Sequence, residues 1–256
     1  MPRDAWLLDR RNTQASSEFF ADTVGALAAQ FDAAAKAQSI DDLFDRLEAA
    51  GVLLRIDRTV TPAMFHGATV SQAELEQLRR IKQVVRLGRV LRIEANQIVL
   101  QQGSIPTSPQ HLHVDCSASA ISKLAMKPIF AGNLITPQTV RSYHPVFSAA
   151  FIAHIEATHQ NDETKNRYCN VVPLPNHATD WIRMMAALMV NQYVWSQDAN
   201  IGKWLLQNRL DAVSQMIRNV ADTDTEKLTI VSKMHGNAVP AMANLQKFIR
   251  QLDAVV

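Results

Sequence analysis

The chain has 256 residues, of which 47% are hydrophobic and 20% charged, as is typical of a folded globular protein. Its formal net charge of +2 is nearly balanced and Lys and Arg are scattered, which argues against a nucleic-acid-binding surface. The charged N-terminus lacks the apolar stretch of a signal peptide, and the most apolar helical segment, residues 181–190, is too short to span a bilayer. The chain has only two cysteines and no CxxC pair, so we expect a reducing, cytoplasmic environment. From the charge and the hydrophobic pattern we expect that it binds neither nucleic acid nor membrane.

The first third of the chain predicts a short strand followed by helices. Ala5–Leu8 is expected to be an edge strand or the tail of a missing domain, because no partner strand lies near it in sequence. Ser39 should cap a second helix, and Ser71 to Glu74 has the spacing of a capping box that opens a third. The remaining elements predicted here are a helix at 18–38, the second helix at 40–50, a strand at 52–56, a loop at 61–69 and the third helix at 71–81.

The middle of the chain predicts a β-meander, and the rest is largely helical. Pro145 should open a helix that ends near Thr158, since proline is favoured at the first helical position. The other elements predicted are two short strands within 84–95, strands at 97–100 and 112–116 with a loop at 103–109, a loop at 159–179, and helices at 180–195, 201–220, 225–234 and 239–252. The fold class is therefore mixed α/β.

The pattern His111-Leu-His113-Val-Asp115 is the sharpest local signal for chemistry. On a strand the two imidazoles and the carboxylate would share one face, and such a set can bind zinc. The spacing resembles the HxHxD motif of metallo-β-lactamase-like hydrolases, although Cys116 stands where that family has a further histidine. His177 is the candidate downstream ligand. We favour two partly exposed histidines at a strand end and expect no metal site.

Cys116 is a candidate nucleophile, with His144 or His154 as its base. Nothing in its sequence context favours the thiolate, so a buried structural thiol is the preferred interpretation. Ser117 and Ser119 do not lie in a GxSxG turn, so the sequence gives no support to serine catalysis.

The segment Tyr143-His144-Pro145-Val146-Phe147 places backbone N–H groups at a helix start. Such a helix end favours anions and electron-rich carbonyls, and the small side chains of the next turn would let a flat ligand approach. The alternative is a helix that simply packs on a sheet. The eight glycines are not grouped, and neither GxGxxG nor GxxxxGK[ST] occurs, so the chain carries no phosphate-binding glycine loop.

Two long segments resemble a known class of enzymes. RIKQVVRLGRVLRIEANQIVLQQGSIPTSPQHLHVDCSASAI, followed by ITPQTVRSYHPVFSAAFIAHIEAT, is similar to the C-terminal part of bacterial NAD(P)/FAD-dependent oxidoreductases. These enzymes are related to pyridine nucleotide-disulfide oxidoreductases and flavin-containing monooxygenases. The opening PRDAWLLDRRNTQ resembles the segment that follows their second nucleotide-binding unit, and the resemblance covers about residues 2–210.

The resemblance implies an incomplete FAD/NAD(P)-binding fold in three regions. Residues 1–82 would be a remnant of a nucleotide-binding domain with helices, 83–160 the β-meander and closing strand and helix of the FAD domain, and 161–256 a helical C-terminal region. The closing strand, which usually ends in Ala-Thr-Gly, would here be His113–Ala118. The resemblance thus assigns cofactor contacts to two sets of residues: Asp115, Cys116, Ser117 and Ala118; and His144, Pro145, Val146 and Phe147.

Three functions are compatible with these observations. The first is the C-terminal portion of a flavin-dependent oxidoreductase, whose full-length relatives would pass hydride from NAD(P)H to FAD and act on a small-molecule substrate. Because the glycine-rich motifs lie upstream in that family, we expect either a truncated product or a shortened descendant that has lost dinucleotide binding, and in both cases a chain that does not hold FAD tightly by itself. The second is a non-catalytic α/β module that binds a partner or forms a homo-oligomer. The third is a metal-dependent hydrolase that uses His111, His113 and Asp115.

Overall fold

The computed structural model describes residues 3–117 and 125–254 and has a mixed α/β fold with small sheets and a helical C-terminal region. The strands are β1 (Ala5–Asp9), β2 (Leu53–Leu54), β3 (Met64–Val70), β4 (Val90–Ile93), β5 (Gln97–Leu100), β6 (Gly103–Pro106), β7 (Phe130–Ala131) and β8 (Leu134–Ile135). The helices are α1 (Phe20–Lys36), α2 (Ile40–Ala49), α3 (Gln72–Leu78), α4 (Pro145–Thr158), α5 (Asp162–Tyr168), α6 (Asp180–Ser196), α7 (Ala199–Gln207), α8 (Ala212–Arg218) and α9 (Thr225–Asp253).

β1 is the central strand of the first sheet, whose order is β2-β1-β3. It pairs antiparallel with β2 and parallel with β3, so the prediction of an edge strand is wrong. The predicted loop at 61–69 is also wrong, because most of it forms β3. The β1–β3 register shifts between Trp6 and Leu8, opposite Gly67, which adopts a φ of +67°.

The main hydrophobic core joins the two ends of the chain. Trp6 of β1 stacks on Phe44 of α2 at a ring separation of 5.8 Å, and Phe44 meets Trp181 of α6 edge to face. α1 lies against α9, which also packs on α6. This core contains Trp6, Leu43, Phe44, Leu47, Leu53, Phe65, Trp181, Ile182, Leu245 and Phe248.

A second core surrounds α4, whose predicted limits are confirmed. Phe151 lies 4.6 Å from the ring of Trp195, and Phe147 stacks on Phe151 at 5.7 Å. Trp195 also donates its indole N–H to the backbone oxygen of Tyr168, so the polar edge of this buried ring is satisfied. These contacts hold α4 firmly on one side while its start reaches the surface.

β4, β5 and β6 form an antiparallel meander in the order β4-β5-β6. The two strands predicted within 84–95 reduce to β4, and the predicted loop at 103–109 begins with β6. The strand predicted at 112–116 is wrong, because this segment is irregular and exposed. We attribute this to the absence of a partner strand beside it among the described residues, since an extended segment without a ladder has no regular pairing to hold it.

The C-terminal helices differ from the sequence predictions in their limits. The predicted loop at 159–179 contains α5, which Asn161 caps by accepting a hydrogen bond from Thr164 N–H. The helix predicted at 201–220 divides into α7 and α8, and the two predicted after residue 225 are one helix, α9, which continues through Pro240. Among residues 3–117 and 125–254, no helix combines the length and the apolar character needed to cross a bilayer.

Candidate functional site

The start of α4 is built into a compact set of interactions that we call the α4 N-terminal cluster, comprising Arg141, Tyr143, His144, Phe147, Ser148 and Asp211. His144 is the N-cap, and its Nδ1 accepts a hydrogen bond from Phe147 N–H at 3.3 Å. Pro145 occupies the first turn, as its fixed φ allows. The Ser148 hydroxyl donates to His144 O at 2.9 Å and accepts from Val140 N–H at 3.2 Å. The helix start is therefore held in one conformation.

Arg141 and Asp211 form a bidentate ion pair beneath this helix start, with N–O distances of 2.8 and 3.2 Å. Asp211 is buried and also caps α8 by accepting from Ser214 N–H. The Arg141 guanidinium lies 3.9 Å from the Phe147 ring centroid, within cation–π distance. Because its charge is matched by Asp211, Arg141 positions the loop before α4 and is not available to bind a ligand anion.

Burial and the nearby positive charge of Arg141 lower the pKa of His144 below its ordinary value, while Asp211 acts in the opposite direction. The neutral imidazole is therefore the form that the cluster favours. This agrees with its capping role, since only the neutral ring has a nitrogen that can accept the Phe147 N–H.

Tyr143 adopts a φ of 54°, a left-handed conformation that is uncommon for a residue with a side chain. Its ring lies on Gly67, where a Cβ would come within 2.4 Å of Tyr143 Cζ. The same ring meets Phe65 edge to face, and burial raises the pKa of its hydroxyl. A strained residue held by close packing at a helix start is a feature that clusters at functional sites.

The β3 bulge adds polar groups near this helix start. His66, beside Gly67, shares a hydrogen bond with Asn176 Oδ1 at 3.0 Å, and Arg3 donates to the same oxygen at 3.2 Å. Asp180 accepts from the N–H of Asn176 and fixes the loop before α6. The roles of Gly67 and Asn176 were not among the predictions from the sequence. The glycine in a run of β-formers was the available signal, since isolated glycines in strands mark bulges and close approaches.

The predicted flavin contacts divide into two groups in the structure. His144 and Phe147 are turned into the cluster, whereas Val146 is 62% exposed and Pro145 is exposed beside it. Hydrogen bonding from the Ser117 side chain, and from Ser117 N–H at 2.8 Å, lowers the pKa of the Asp115 carboxyl. Cys116 is exposed. The expectation of a buried Cys116 is therefore wrong, because the segment does not enter a sheet. Ala118 lies outside the described residues.

Two of the candidate metal ligands, His111 and His113, approach the same hydroxyl group and not a shared set of three ligands. His111 Nδ1 and His113 Nε2 both lie near Thr107 Oγ1, at 3.1 and 3.0 Å. Within residues 3–117 and 125–254, no three His, Cys, Asp or Glu side chains form a group that could hold a metal ion. His154, considered as a base, stacks on Trp204 at 4.8 Å. Cys169 is buried, and burial raises the pKa of its thiol to about 12.

Comparison with known proteins finds relatives of greater length. Uncharacterized proteins of Mycobacterium bovis and of two strains of Mycobacterium tuberculosis are 42% identical to this chain over 248 residues. The match covers 96% of this chain but 46% of each relative, so the chain spans about half the length of the curated relatives that it matches. No protein-family model matches the sequence. No solved structure matches it either.

Proposed function

We propose that this chain is the C-terminal portion of a flavin-dependent oxidoreductase, and that the start of α4 forms one wall of the flavin site. The observation that carries the proposal is the geometry of this helix start. α4 begins at Pro145, as the resemblance implies. In its first turn the Val146 side chain is exposed, whereas the Phe147 side chain is buried and anchors the turn in the core. An open helix start with rigid support suits a planar ligand with electron-rich carbonyl groups.

The residues present fit part of such a cofactor. The peptide dipoles of α4 favour negative charge at its N-terminus, and a flavin gains electron density when it is reduced. The neutral His144 adds no positive charge of its own, so the helix end supplies the favourable potential. The cofactor, when bound, would accept hydride from NAD(P)H, and this chain would orient it and exclude water from one side.

The phosphate-binding part of the site is not provided by the residues described. The sequence contains no glycine-rich phosphate loop, and Arg141 is neutralised by Asp211. Asp115 to Ser117, the second set of proposed contacts, is solvent-exposed. We therefore propose that the chain alone binds FAD weakly and that the remaining half of the relatives' length supplies the diphosphate contacts.

A chimera tests this proposal. This chain would replace the 248 matched residues of the Mycobacterium tuberculosis relative, and flavin would be released from the purified chimera by denaturation and quantified. We expect about one flavin per chimera and oxidation of NADH or NADPH on addition, while the 256-residue chain alone retains little flavin. A folded chimera that neither retains added FAD nor oxidises either nucleotide would refute the function.

A matched pair of variants localises the site in the chimera. Val146→Lys places a bulky charged chain in the open turn of α4 and should lower flavin retention at least tenfold. Val239→Lys makes the same change at a 79% exposed position of α9 and should leave retention unchanged. Equal retention in both variants would remove the α4 start from the flavin site even if the chimera is a flavoprotein.

A further inference from the structure

The meander β4-β5-β6 has one apolar face, which the described residues leave open along β4 and cover partly along β5 and β6. The register pairs Ile93 with Ile98 and Ile98 with Ile105, so the three isoleucines form a row across the sheet. Val90 lies opposite Leu100 on this same face, because a register shift between Val90 and Arg92 returns Ile93 to it. We call these residues the meander face: Val90, Ile93, Ile98, Leu100 and Ile105.

The exposure of the meander face increases towards β4. Leu100 is buried, and Gln102 N–H, two residues further, bonds to Leu87 O, so the preceding segment closes that end. Val90 and Ile93 are 53% and 51% exposed. β4 is also an edge strand among the described residues, with no neighbour on its outer side. A small sheet with an apolar face requires packing against another element to be stable, and no element of the described residues covers Val90 and Ile93.

The segment after β6 carries two further exposed apolar side chains. Leu112 and Val114 are 88% and 73% exposed. The rings of His111 and His113, which alternate with them, lie near Thr107 Oγ1 just after β6. This segment has exposed apolar side chains at alternate positions and no ladder partner in the described ranges, so its backbone is available to pair with the edge of another sheet.

The total accessible surface area of the chain is also larger than that of a compact monomer. It measures 15450 Å² for a mass of 28.5 kDa. A compact monomer of this mass exposes about 11,000 Å². The difference, roughly 4,000 Å², is several times the area of about 800 Å² per partner that a standard transient interface covers. It is of the size that obligate or intramolecular interfaces bury.

We propose that the meander face, together with Leu112 and Val114, is the docking surface for a folded region equivalent to the part of the mycobacterial relatives that lies outside the 248-residue match. That part is more than half of each relative, which is long enough to form a domain with its own sheet. Its contacting surface should be apolar, and it should offer an open strand edge to residues 111–117. The interface does not depend on flavin, so it can exist whether or not the proposed oxidoreductase function holds.

Hydrogen exchange on the chimera defined above tests this interface without any cofactor. Backbone amides of 90–106 and 111–117 should exchange rapidly in the isolated chain and at least tenfold more slowly in the chimera. Ile93→Lys should restore rapid exchange of 90–106 in the chimera and leave the isolated chain unchanged. Val239→Lys, an equal change at an exposed apolar residue of α9, should affect neither protein.

Three results would overturn the proposal. Equal exchange of the meander in the chimera and in the isolated chain would mean that the added region does not cover it. Protection that survives Ile93→Lys would place the interface elsewhere. A dimer of the isolated chain in light scattering, dissociated by Ile93→Lys, would assign the face to a second copy of this chain instead. A protected meander in a chimera without flavin would support the interface and refute the function.

Discussion

Gly67 and Tyr143 are in direct contact, although 76 positions separate them in the sequence. Gly67 takes a left-handed φ of +67° at the bulge of β3, and the Tyr143 ring covers it. Tyr143 itself is left-handed, so two uncommon backbone conformations meet at one point. Glycine adopts this conformation without steric cost, whereas Tyr143 does not, and the packing of its ring against Phe65 must offset the cost at Tyr143. Neither conformation follows from local sequence alone, because the ring that requires the glycine belongs to a distant segment.

We expect Gly67→Ala to lower the free energy of unfolding by about 2–4 kcal/mol, since it adds a left-handed penalty and a steric clash with Tyr143. Gly132→Ala is the matched control. Gly132 has a similar φ of +62° but no heavy atom within 4 Å of an added Cβ, so only the backbone penalty of about 1–2 kcal/mol applies. Urea unfolding of both variants measures the difference. Equal losses would show that the contact with Tyr143 relaxes at no cost.

His144 should make stability depend on pH. Its pKa in the folded protein is below the value near 6.5 of an unfolded chain, so the unfolded state binds a proton more readily. The stabilisation is complete above that unfolded value and is lost as pH falls through the folded pKa. His154 contributes in the same direction, because burial and the charge of His159 lower its pKa as well.

His144→Asn should reduce this acid sensitivity. Asparagine retains an oxygen that can cap α4, so the helix start is preserved while the titrating group is removed. Urea unfolding midpoints at pH 8, 7, 6 and 5 would decline less steeply for the variant than for the parent. His235→Gln removes an exposed imidazole of α9 and serves as the control. If the two variants and the parent decline in parallel, His144 is not a determinant of the pH profile.

At the scale of elements, the helices with local start signals were predictable. Ser39 accepts from Asp42 N–H, the Ser71–Glu74 capping box is formed, and Pro145 opens α4 as expected. These signals act within a single turn of helix, so the sequence contains all that they need. The same holds for part of the candidate site, because the predicted helix start at His144 and Pro145 lies where the structure has it.

Elements that depend on distant partners were not predictable. β3 contains Gly67 and follows Pro62, which locally indicate a loop, but it forms because β1 offers a parallel partner. The alternating apolar residues of 112–116 indicate a strand, yet no described strand pairs with them. Asn176 entered no prediction, because its partners Arg3 and His66 are 173 and 110 positions away in the sequence. Contacts between residues far apart in the sequence decide these structures, and the local periodicity of the sequence contains no information about such contacts.

Helix α9 is the clearest case in which packing overrides local preference. Pro240 and Gly236 indicate a break, but the helix is continuous because its inner face, with Ala241, Leu245 and Phe248, is fully buried in the main core. Proline in a helix interior costs about 3 kcal/mol relative to alanine, since it removes a hydrogen bond and crowds the preceding turn. The buried face must offset that cost.

Pro240→Ala should therefore raise the free energy of unfolding, by about 1–3 kcal/mol, because Pro240 is exposed and loses no core contact. Ser232→Ala, at another exposed position of α9, reports the ordinary gain in helix propensity of about 0.5 kcal/mol. Thermal or urea unfolding distinguishes the two. A Pro240→Ala variant no more stable than Ser232→Ala would indicate that the helix is already relaxed around the proline.

At the scale of the whole molecule, the core and the meander differ in how they are held. The main core unites residues before the meander, such as Trp6 and Leu47, with residues after it, such as Trp181 and Leu245. Among the described residues, none of the meander strands contributes to the hydrophobic core clusters, and an ion pair of Arg86 with Asp4 and Asp57 holds the segment that precedes the meander. The segments before and after the meander thus form one core, and the meander lies outside that core.

Brief trypsin digestion should cut the exposed meander before it cuts the helices of the main core. Arg89 and Arg92 flank or belong to the exposed β4, whereas α1 and α9 are held by the core, so the first cuts should fall at these two residues. The two large fragments should then elute together from a sizing column and separate only in denaturant, because each supplies half of the main core. Arg89→Gln with Arg92→Gln should slow the first cut several-fold. Fragments that separate under native conditions, or a first cut within α1 or α9, would contradict a single core that spans both ends of the chain.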